Sequence, residues 1–312
     1  MKIPEKDWGY SFNHPKLIHR HTNKFKADPF HGHTEESGEP TTGNWYEELY
    51  GTVPGEAREY TWEVPAGVEW VYVFGMGGAS VGGWDNVFGM FVKTVTPGDT
   101  VTIVVGDGAT DGYGGLPDGG NAGYIGSGSC RGGGGSTKMT DGSGIIFVAP
   151  GRGGHVINPV GGGASGTVSA NWQFWDPDPL AWIGSSSANP APRMPSVDPE
   201  YSLESYALGV VGSGANGGTG ASWTLGFTPE RYGGGGGGGY GGGPGGPVFK
   251  SRYNSYVWHH SAGGRAGYPH VAAPASYAGA PFTEFLNGSP FTAPFTSLYF
   301  GCGFLYLRWL EP

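Results

Sequence analysis

The sequence predicts an ordered all-β protein with an unusual backbone, and three observations lead to this prediction. Apolar and polar residues alternate over short segments from residue 56 onward, and helical periodicity is absent there. Glycine accounts for 64 of the 312 residues, yet aromatic residues make up 14% of the chain. Charged residues also make up only 14%, about half the usual share. Because disordered chains are poor in aromatic residues, this combination indicates a folded protein rather than a flexible tail.

Several segments have the pattern of β-strands. Tyr60, Trp62 and Val64 alternate with polar residues, and this segment ends at a Pro-Ala-Gly turn. The next segment, 68–76, is apolar on both faces, which predicts a strand buried on both sides. Further strands are predicted on either side of a Pro-Gly-Asp turn at 97–99, at 144–151, and at 304–310.

Residues 1–55 differ from the rest and are predicted to form an extended N-terminal arm for attachment. They hold five of the nine histidines and few glycines. A short helix is predicted at "NWYEELYG", where Asn44 is a capping residue and Gly51 a terminating one. The glycine-rich β domain then spans 56–312, with two proline- and aromatic-rich insertions, 168–207 and 268–297, that are predicted to be long loops.

Composition excludes several classes of protein. The net charge of −9 argues against binding to nucleic acid, because neutralising phosphates requires Lys and Arg. The N-terminus has no apolar segment typical of a secretory signal, and no apolar segment is long enough to span a membrane. Cys130 and Cys302 form no disulfide framework, and both are predicted to be free thiols of a protein made in a reducing cytoplasm.

One part of the chain resembles a known family. The segment "YTWEVPAGVEWVYVFGMGGASVGG", followed by "GMFVKTVTPGDTVTIVVGDGAT", is similar to the glycine-rich domain of bacteriophage tail and tail-fibre proteins. The resemblance covers 56–165 well and 209–312 loosely, and it includes a "GGGGST" patch at 132–137. It implies a jelly-roll-like β-sandwich whose distal part is a bundle of polyglycine helices of the polyproline-II type, with long loops.

The same resemblance implies a function. It implies a structural virion protein, a minor tail protein of the tail tip or tail fibre, that takes part in host attachment. The implied partners are other phage tail proteins, further copies of the chain in a trimer, and a receptor or glycan on the host surface. The protein is then made in the host cytoplasm and resides in the virion, with no required cofactor.

The longest glycine run, "RYGGGGGGGYGGGPGGP" at 231–247, is either a slack linker or ordered structure. A polyproline-II helix has three residues per turn, and seven residues span about 22 Å. Without Cβ atoms such helices can pack side by side and bond laterally, which would offset the entropy lost on ordering. Tyr240 is then a packing residue, and Pro244 and Pro247 already hold the required φ. The predicted structural glycines are Gly233, Gly234, Gly235, Gly236, Gly237, Gly238 and Gly239.

Two kinds of metal site are conceivable from the residue types. Alternate histidines on an extended strand point to one side, and three copies around an axis could complete an octahedral site. The candidates are His19, His21, His31 and His33, and solvated histidines on an arm are the alternative. Aspartates among glycines could bind Ca²⁺ or form Asx turns, and these are Asp85, Asp107, Asp111 and Asp118.

Aromatic side chains in the loops are candidate binding residues. They could contact a host surface, contact neighbouring virion subunits, or pack on the glycine segments as a core. The candidates are Trp172, Trp175, Trp182, Tyr253, Tyr256, Trp258, Tyr277, Phe282, Phe285, Phe291 and Phe295, with His259 and His260 beside Trp258.

A glycan-binding or glycan-cleaving module is the alternative function. Cleavage of glycans uses a pair of carboxylates, and the first insertion contains several acids near its tryptophans. These acids are Asp176, Asp178, Asp198, Glu200 and Glu204. Acids beside prolines are more often turn formers, and the chain has no nucleophile-elbow or His-Glu-x-x-His context. The sequence therefore predicts a protein that is not an enzyme.

Overall fold

The computed structural model describes residues 16–20, 45–80, 88–125, 130–156, 183, 189–192, 194–195, 200–223, 231–279 and 301–310. Every regular element in these ranges is a β-strand, so the predicted all-β class is confirmed. The strands are β1 (Lys16–Arg20), β2 (Trp45–Gly51), β3 (Arg58–Glu63), β4 (Trp70–Met76), β5 (Phe88–Thr94), β6 (Thr100–Val105), β7 (Thr137–Asp141), β8 (Gly144–Ala149), β9 (Ser202–Ala207), β10 (Ser222–Trp223), β11 (Arg231–Tyr232), β12 (Val248–Tyr253), β13 (Tyr256–Ser261), β14 (His270–Val271), β15 (Ala275–Gly279) and β16 (Phe304–Leu310).

Two large antiparallel sheets hold most of these strands. The first has six strands in the order β1-β2-β16-β4-β5-β15. The second has five strands in the order β14-β8-β7-β6-β3. The chain enters one sheet or the other repeatedly, so strands that are distant in sequence become neighbours, as β16 does between β2 and β4.

The two large sheets share one hydrophobic core. Val73, Phe91 and Leu305 of the six-stranded sheet pack with Ile103 and Phe147 of the five-stranded sheet, and all five side chains are fully buried. Because side chains alternate across a strand, each strand presents every second residue to this core. Burying each such side chain contributes about 1.5–3 kcal/mol to the free energy of unfolding.

The remaining strands form two small sheets that are separate from the two large ones. One has three strands in the order β13-β12-β9, and the other pairs β10 with β11. The β12–β13 hairpin turns at Asn254, whose φ of +54° is left-handed and is tolerated by asparagine better than by most residues. Each strand of the small sheets is joined to a glycine-rich segment, so these segments position the small sheets relative to the rest of the molecule.

The predicted strands around 60, 72, 90, 102, 146 and 306 are confirmed as β3, β4, β5, β6, β8 and β16. The helix predicted at "NWYEELYG" is wrong, because Trp45–Gly51 is strand β2 and pairs with β16 along its whole length. The prediction of loops in the two insertions is wrong for β9, β14 and β15, which pair with β12, β8 and β5. Neither cysteine forms a disulfide, so the prediction of thiols is confirmed, and both side chains are buried.

Candidate functional site

Glycine-rich segments leave one end of both large sheets and pack against one another. Strands β4, β6 and β8 run into this region, and β7 and β16 begin from it. We call it the glycine network. It comprises the segments 77–80, 106–123, 130–136, 150–155, 208–221, 233–246, 262–268 and 301–303, which are joined by backbone hydrogen bonds.

The segment 233–239 is the centre of the network, and its N–H groups donate hydrogen bonds in a repeat of three residues. Donor to acceptor distances are 2.8–3.1 Å. Gly233, Gly236 and Gly239 donate to the carbonyls of Ala221, Gly218 and Ala215. Gly234, Gly237 and Tyr240 donate to those of Ala262, Arg265 and Tyr268. Gly235 and Gly238 donate to those of Arg131 and Gly134.

The carbonyl groups of the same segment accept hydrogen bonds in the same repeat, from three other stretches of chain. The distances are 2.6–2.9 Å. Gly233 and Gly236 accept from Gly123 and Gly120, Gly234 and Gly237 from Gly246 and Gly243, and Gly235 and Gly238 from Gly154 and Gly151. The central segment is therefore bonded to six neighbouring stretches of chain, of which five belong to other segments and one, 243–246, is its own continuation. Three residues is also the repeat of the polyproline-II helix.

Close approach of backbones explains why glycine is required in the central segment. A Cβ atom on Gly236 would lie 1.9 Å from the carbonyl oxygen of Gly243, and one on Gly235 would lie 1.9 Å from that of Gly120. No residue of 233–239 has a φ between +20° and +160°. The requirement therefore comes from the neighbouring backbones and not from a left-handed conformation.

Asp118 anchors the network to the five-stranded sheet. Its carboxylate accepts hydrogen bonds from the N–H and hydroxyl groups of Ser136, each at 2.7 Å, and lies 2.5 Å from Lys138 Nζ. The carboxylate also fills the space in which a Cβ of Gly238 would lie. Asp118 is thus a buried structural residue that bonds to a distant segment, and it forms neither a Ca²⁺ loop nor an Asx turn.

Asp107 has a similar role where the network meets the sheets. It is buried and accepts hydrogen bonds from the Gly55 N–H at 2.6 Å and from the Cys302 thiol at 3.4 Å. Burial raises the pKa of Asp107 above its ordinary value, against the opposing effect of the Gly55 N–H and the Cys302 thiol. Burial, followed by the neighbouring Asp107, raises the pKa of the Cys302 thiol to about 12.

Tyr240 packs at the turn that follows the central segment, as predicted. Its ring stacks on that of His270 in β14, with centroids 3.9 Å apart and an interplanar angle of 10°. Pro244 and Pro247 are buried in the returning segment, which runs antiparallel to the central one. The run at 231–247 is therefore held at its turn by an aromatic stack and along its length by hydrogen bonds.

The predicted aromatic binding residues have different environments. Tyr253 and Tyr256 flank the β12–β13 turn, and their side chains are 38% and 67% exposed. The ring of Tyr253 packs on that of Tyr201, with centroids 5.2 Å apart. Trp258 is half-buried in β13. Tyr277 lies in β15 and packs edge-on against Phe91 of the core at 5.5 Å. The exposed tyrosines form a surface beyond the network, whereas Tyr277 belongs to the core.

Several predicted residues lie outside the described residues. These are His21, His31, His33, Asp85, Trp172, Trp175, Asp176, Asp178, Trp182, Asp198, Phe282, Phe285, Phe291 and Phe295. The backbone of His19 lies in β1 opposite Glu47. Glu204 forms an ion pair with Arg252, and Asp111 forms one with Arg131 at 2.5 Å. Among the described residues, no group of three or more His, Cys, Asp or Glu side chains is arranged to hold a metal ion.

The structure also assembles a group of side chains that the sequence does not bring together. Trp223 pairs with Arg231 across β10 and β11, and Lys250 pairs with His259 across β12 and β13. Lys250 Nζ lies 4.8 Å from the centre of the Trp223 ring, and the Trp223 and His259 rings are 6.4 Å apart. Lys250 and His259 lie in the segment "KSRYNSYVWHH", which the sequence marks as a candidate binding region. Trp223 and Arg231 are distant from it in sequence, and each adjoins a different glycine-rich segment.

Two comparisons with known proteins found no match to this chain. No protein-family model matches the chain, and no curated protein is significantly similar to it. In the part of the chain that the structure describes, no helix has the length and apolar character needed to cross a membrane.

Proposed function

We propose that this chain is a structural protein of a bacteriophage tail tip or tail fibre that contributes to host-surface attachment. The observation that supports this most is the bonding of 233–239 to six neighbouring stretches of chain with a repeat of three residues. It matches the bundle of glycine helices that the resemblance of 56–165 to tail and tail-fibre proteins implies. The proposal treats the protein as a scaffold and assigns it no catalytic activity.

We propose in more detail that the glycine segments are polyproline-II-type helices packed in a bundle. The repeat of three, the lateral hydrogen bonds and the lack of space for any Cβ on 233–238 support this geometry. The common hydrophobic core of the two large sheets supports a jelly-roll-like β-sandwich as the base on which the bundle stands. The segment 1–55 is proposed as the attachment segment, and its strands β1 and β2 form one edge region of the six-stranded sheet. Other tail proteins and two further copies of the chain are the proposed partners.

In this arrangement the bundle works as a rigid spacer. The central segment begins directly after β11 of a small sheet, and at its other end Tyr240 stacks on His270 of β14 in the five-stranded sheet. Seven residues in polyproline-II geometry span about 22 Å, and the bonds to six neighbours resist bending. A stiff spacer holds a binding surface at a fixed distance from the particle, so less freedom is lost when the surface binds.

The proposal is tested by finding where the protein resides. Phage particles that carry this gene are purified on a density gradient, and the protein is quantified by mass spectrometry and located with gold-labelled antibody by electron microscopy. We expect a fixed copy number per particle and label at the tail. Particles that are complete and infective without the protein contradict the proposal.

A glycan-binding module is the second candidate, and the exposed tyrosines of the β12–β13 hairpin favour it. Aromatic rings with a polar tip are common in binding surfaces that must remain soluble. The purified protein is incubated with host envelope glycans, and both retention and release of reducing ends are measured. Retention without release supports binding, whereas release of reducing ends supports a glycan-cleaving enzyme and contradicts the scaffold proposal.

A further inference from the structure

Beyond the glycine network, three basic side chains meet around one tryptophan. We call Trp223, Arg231, Lys250 and His259 the basic cluster. Its members come from both small sheets: the Arg231 guanidinium Nε donates a hydrogen bond to the carbonyl of His259 at 3.3 Å, and Lys250 Nζ faces the Trp223 ring at 4.8 Å. Trp223, Lys250 and His259 are half-buried, so the cluster is accessible from solvent.

The cluster is positively charged in a chain whose net charge is −9. Glu204 is the described carboxylate that acts on His259, and it already forms an ion pair with Arg252. Burial lowers the pKa of His259 below its ordinary value, and Lys250 and Arg231 lower it further. The pKa of the neighbouring His260 is lowered by burial and then by His259 and Arg231. The positive charge of Arg231 thus acts on both histidines, and that of Lys250 acts on His259.

His259 has a ring nitrogen for which the described residues provide no hydrogen-bond partner. Its Nδ1 atom is buried and forms no hydrogen bond, although buried polar atoms in proteins are ordinarily paired. If the half-buried ring turns toward the solvent, this nitrogen can bond to an oxygen atom from outside the chain. An anionic oxygen would do so best, because Lys250 attracts it and a protonated imidazole donates a charge-assisted hydrogen bond to it.

Trp223 adds a flat apolar surface beside these charges. An indole ring offers contact area to the apolar face of a sugar ring, while lysine and histidine bind its charged substituent. We propose that the basic cluster binds the anionic group of an acidic host-surface saccharide, either a carboxylate or a phosphate. The inference rests on the proposed function in host attachment, and it names the ligand class and the place where that ligand binds.

The proposal is tested by calorimetric titration of the purified protein with three oligosaccharides of equal length, one carrying uronic acids, one carrying phosphates and one uncharged. We expect the protein to bind one or both charged probes and to bind the uncharged probe at least tenfold more weakly. The charged probe that binds more tightly shows whether the recognised anionic group is a carboxylate or a phosphate. Equal affinity for all three probes, or no binding of either charged probe, overturns the proposal.

The variant K250Q removes the accessible charge of the cluster, and we expect it to bind the charged probe about tenfold more weakly. R58Q is the matched control, since Arg58 lies in β3, forms an ion pair with Glu56 at the surface and carries the same charge. Equal losses in K250Q and R58Q would mean that net charge alone acts, which also overturns the proposal.

A measurement on the unaltered protein does not depend on how well these variants fold. Binding to a protonated His259 raises the pKa of its imidazole, so affinity for the charged probe increases as the pH falls from about 7.5 to about 5.5. The ring resonance of His259, assigned with H259Q, should shift its titration to higher pH when the probe is added. An unchanged titration contradicts the site. This result is independent of whether the protein is found in virions.

Discussion

The glycine network and the hydrophobic core of the two large sheets are ordered by different means in one chain. In the core, side chains such as Phe91, Ile103 and Phe147 interdigitate, and the repeat along each strand is two residues. In the network, the central segment 233–239 has no side chains, and the repeat is three residues. One region is held by apolar contact area and the other by hydrogen bonds between closely spaced backbones.

This difference indicates how each region responds to substitution. A core filled by side chains adapts partly to a change in volume, because neighbouring side chains shift their rotamers. A network of backbones has no such freedom, since a Cβ on Gly236 or Gly237 meets a carbonyl oxygen of a bonded neighbour at 1.9 or 2.0 Å. Glycine also loses more entropy on ordering than any other residue, so the network depends on pairing nearly all of its N–H groups.

The largest effect is expected for Gly236→Val. The added side chain would overlap the carbonyl of Gly243, so we expect loss of the folded protein, which corresponds to a destabilisation above about 4 kcal/mol. Gly142→Val is the matched control, because no atom lies within 4 Å of a Cβ at Gly142. Circular dichroism and thermal unfolding compare the two. Normal folding of Gly236→Val, with 231–247 mobile, would mean that the run is a linker.

A smaller but still large effect is expected where the network is anchored. Asp118→Ala leaves Lys138 and the Ser136 N–H without their buried partner, so we expect a loss of about 3–5 kcal/mol in the free energy of unfolding. Asp111→Ala breaks an exposed ion pair with Arg131, and its loss should stay below about 1 kcal/mol. Denaturant titration measures both variants, and similar losses would show that Asp118 is not an anchor.

The core should tolerate a change of one methyl group far better than the network does. Ile103→Val removes a methylene from a fully buried side chain, and we expect a loss of about 0.5–1.5 kcal/mol. Gly237→Ala adds only one methyl group, yet its Cβ would lie 2.0 Å from the carbonyl oxygen of Gly151, so its loss should be several times larger. The comparison of the two regions fails if Ile103→Val proves the more damaging change.

The smallest predicted effect concerns pH. The pKa of Asp107 is raised above its ordinary value of 3.8, so the folded protein holds this proton more tightly than the unfolded chain does. Its contribution to stability is complete below the unfolded pKa and is lost as the pH rises through the folded pKa. Relative to Asp107→Asn, the wild type should therefore become less stable as the pH rises from below the ordinary pKa of 3.8 through the higher pKa of the folded state. A difference between wild type and Asp107→Asn that stays constant as the pH rises would contradict the raised pKa of Asp107.

Much of the fold could be predicted because alternation along a strand is local information. The pattern of Tyr60, Trp62 and Val64 predicts β3, and the doubly apolar segment around Tyr72 predicts a strand buried on both faces. The segment Trp45–Gly51 contains residues that suit a helix, but pairing with β16 overrides that preference. The short strands β14 and β15 carry almost no alternation, since each is recruited by a neighbouring strand.

The sites were harder to predict, for a physical reason. Identical glycines carry no side-chain pattern, so the run "GGGGGGG" does not predict which parts of the chain will pack around it. The anchoring roles of Asp107 and Asp118 depend on partners such as Gly55 and Ser136 that are distant in sequence or lack a distinctive motif. The basic cluster arises only because two glycine segments end beside each other, which places Trp223 over Lys250.

Hydrogen exchange of the central segment tests the ordered glycine network most directly. The protein is diluted into heavy water, and deuterium uptake is followed by mass spectrometry for a peptide covering 231–247 and for one covering β6. Because each N–H from Gly233 to Tyr240 is hydrogen-bonded, we expect the first peptide to be protected as strongly as the second. Complete exchange of the glycine peptide within seconds, while β6 stays protected, would contradict the network.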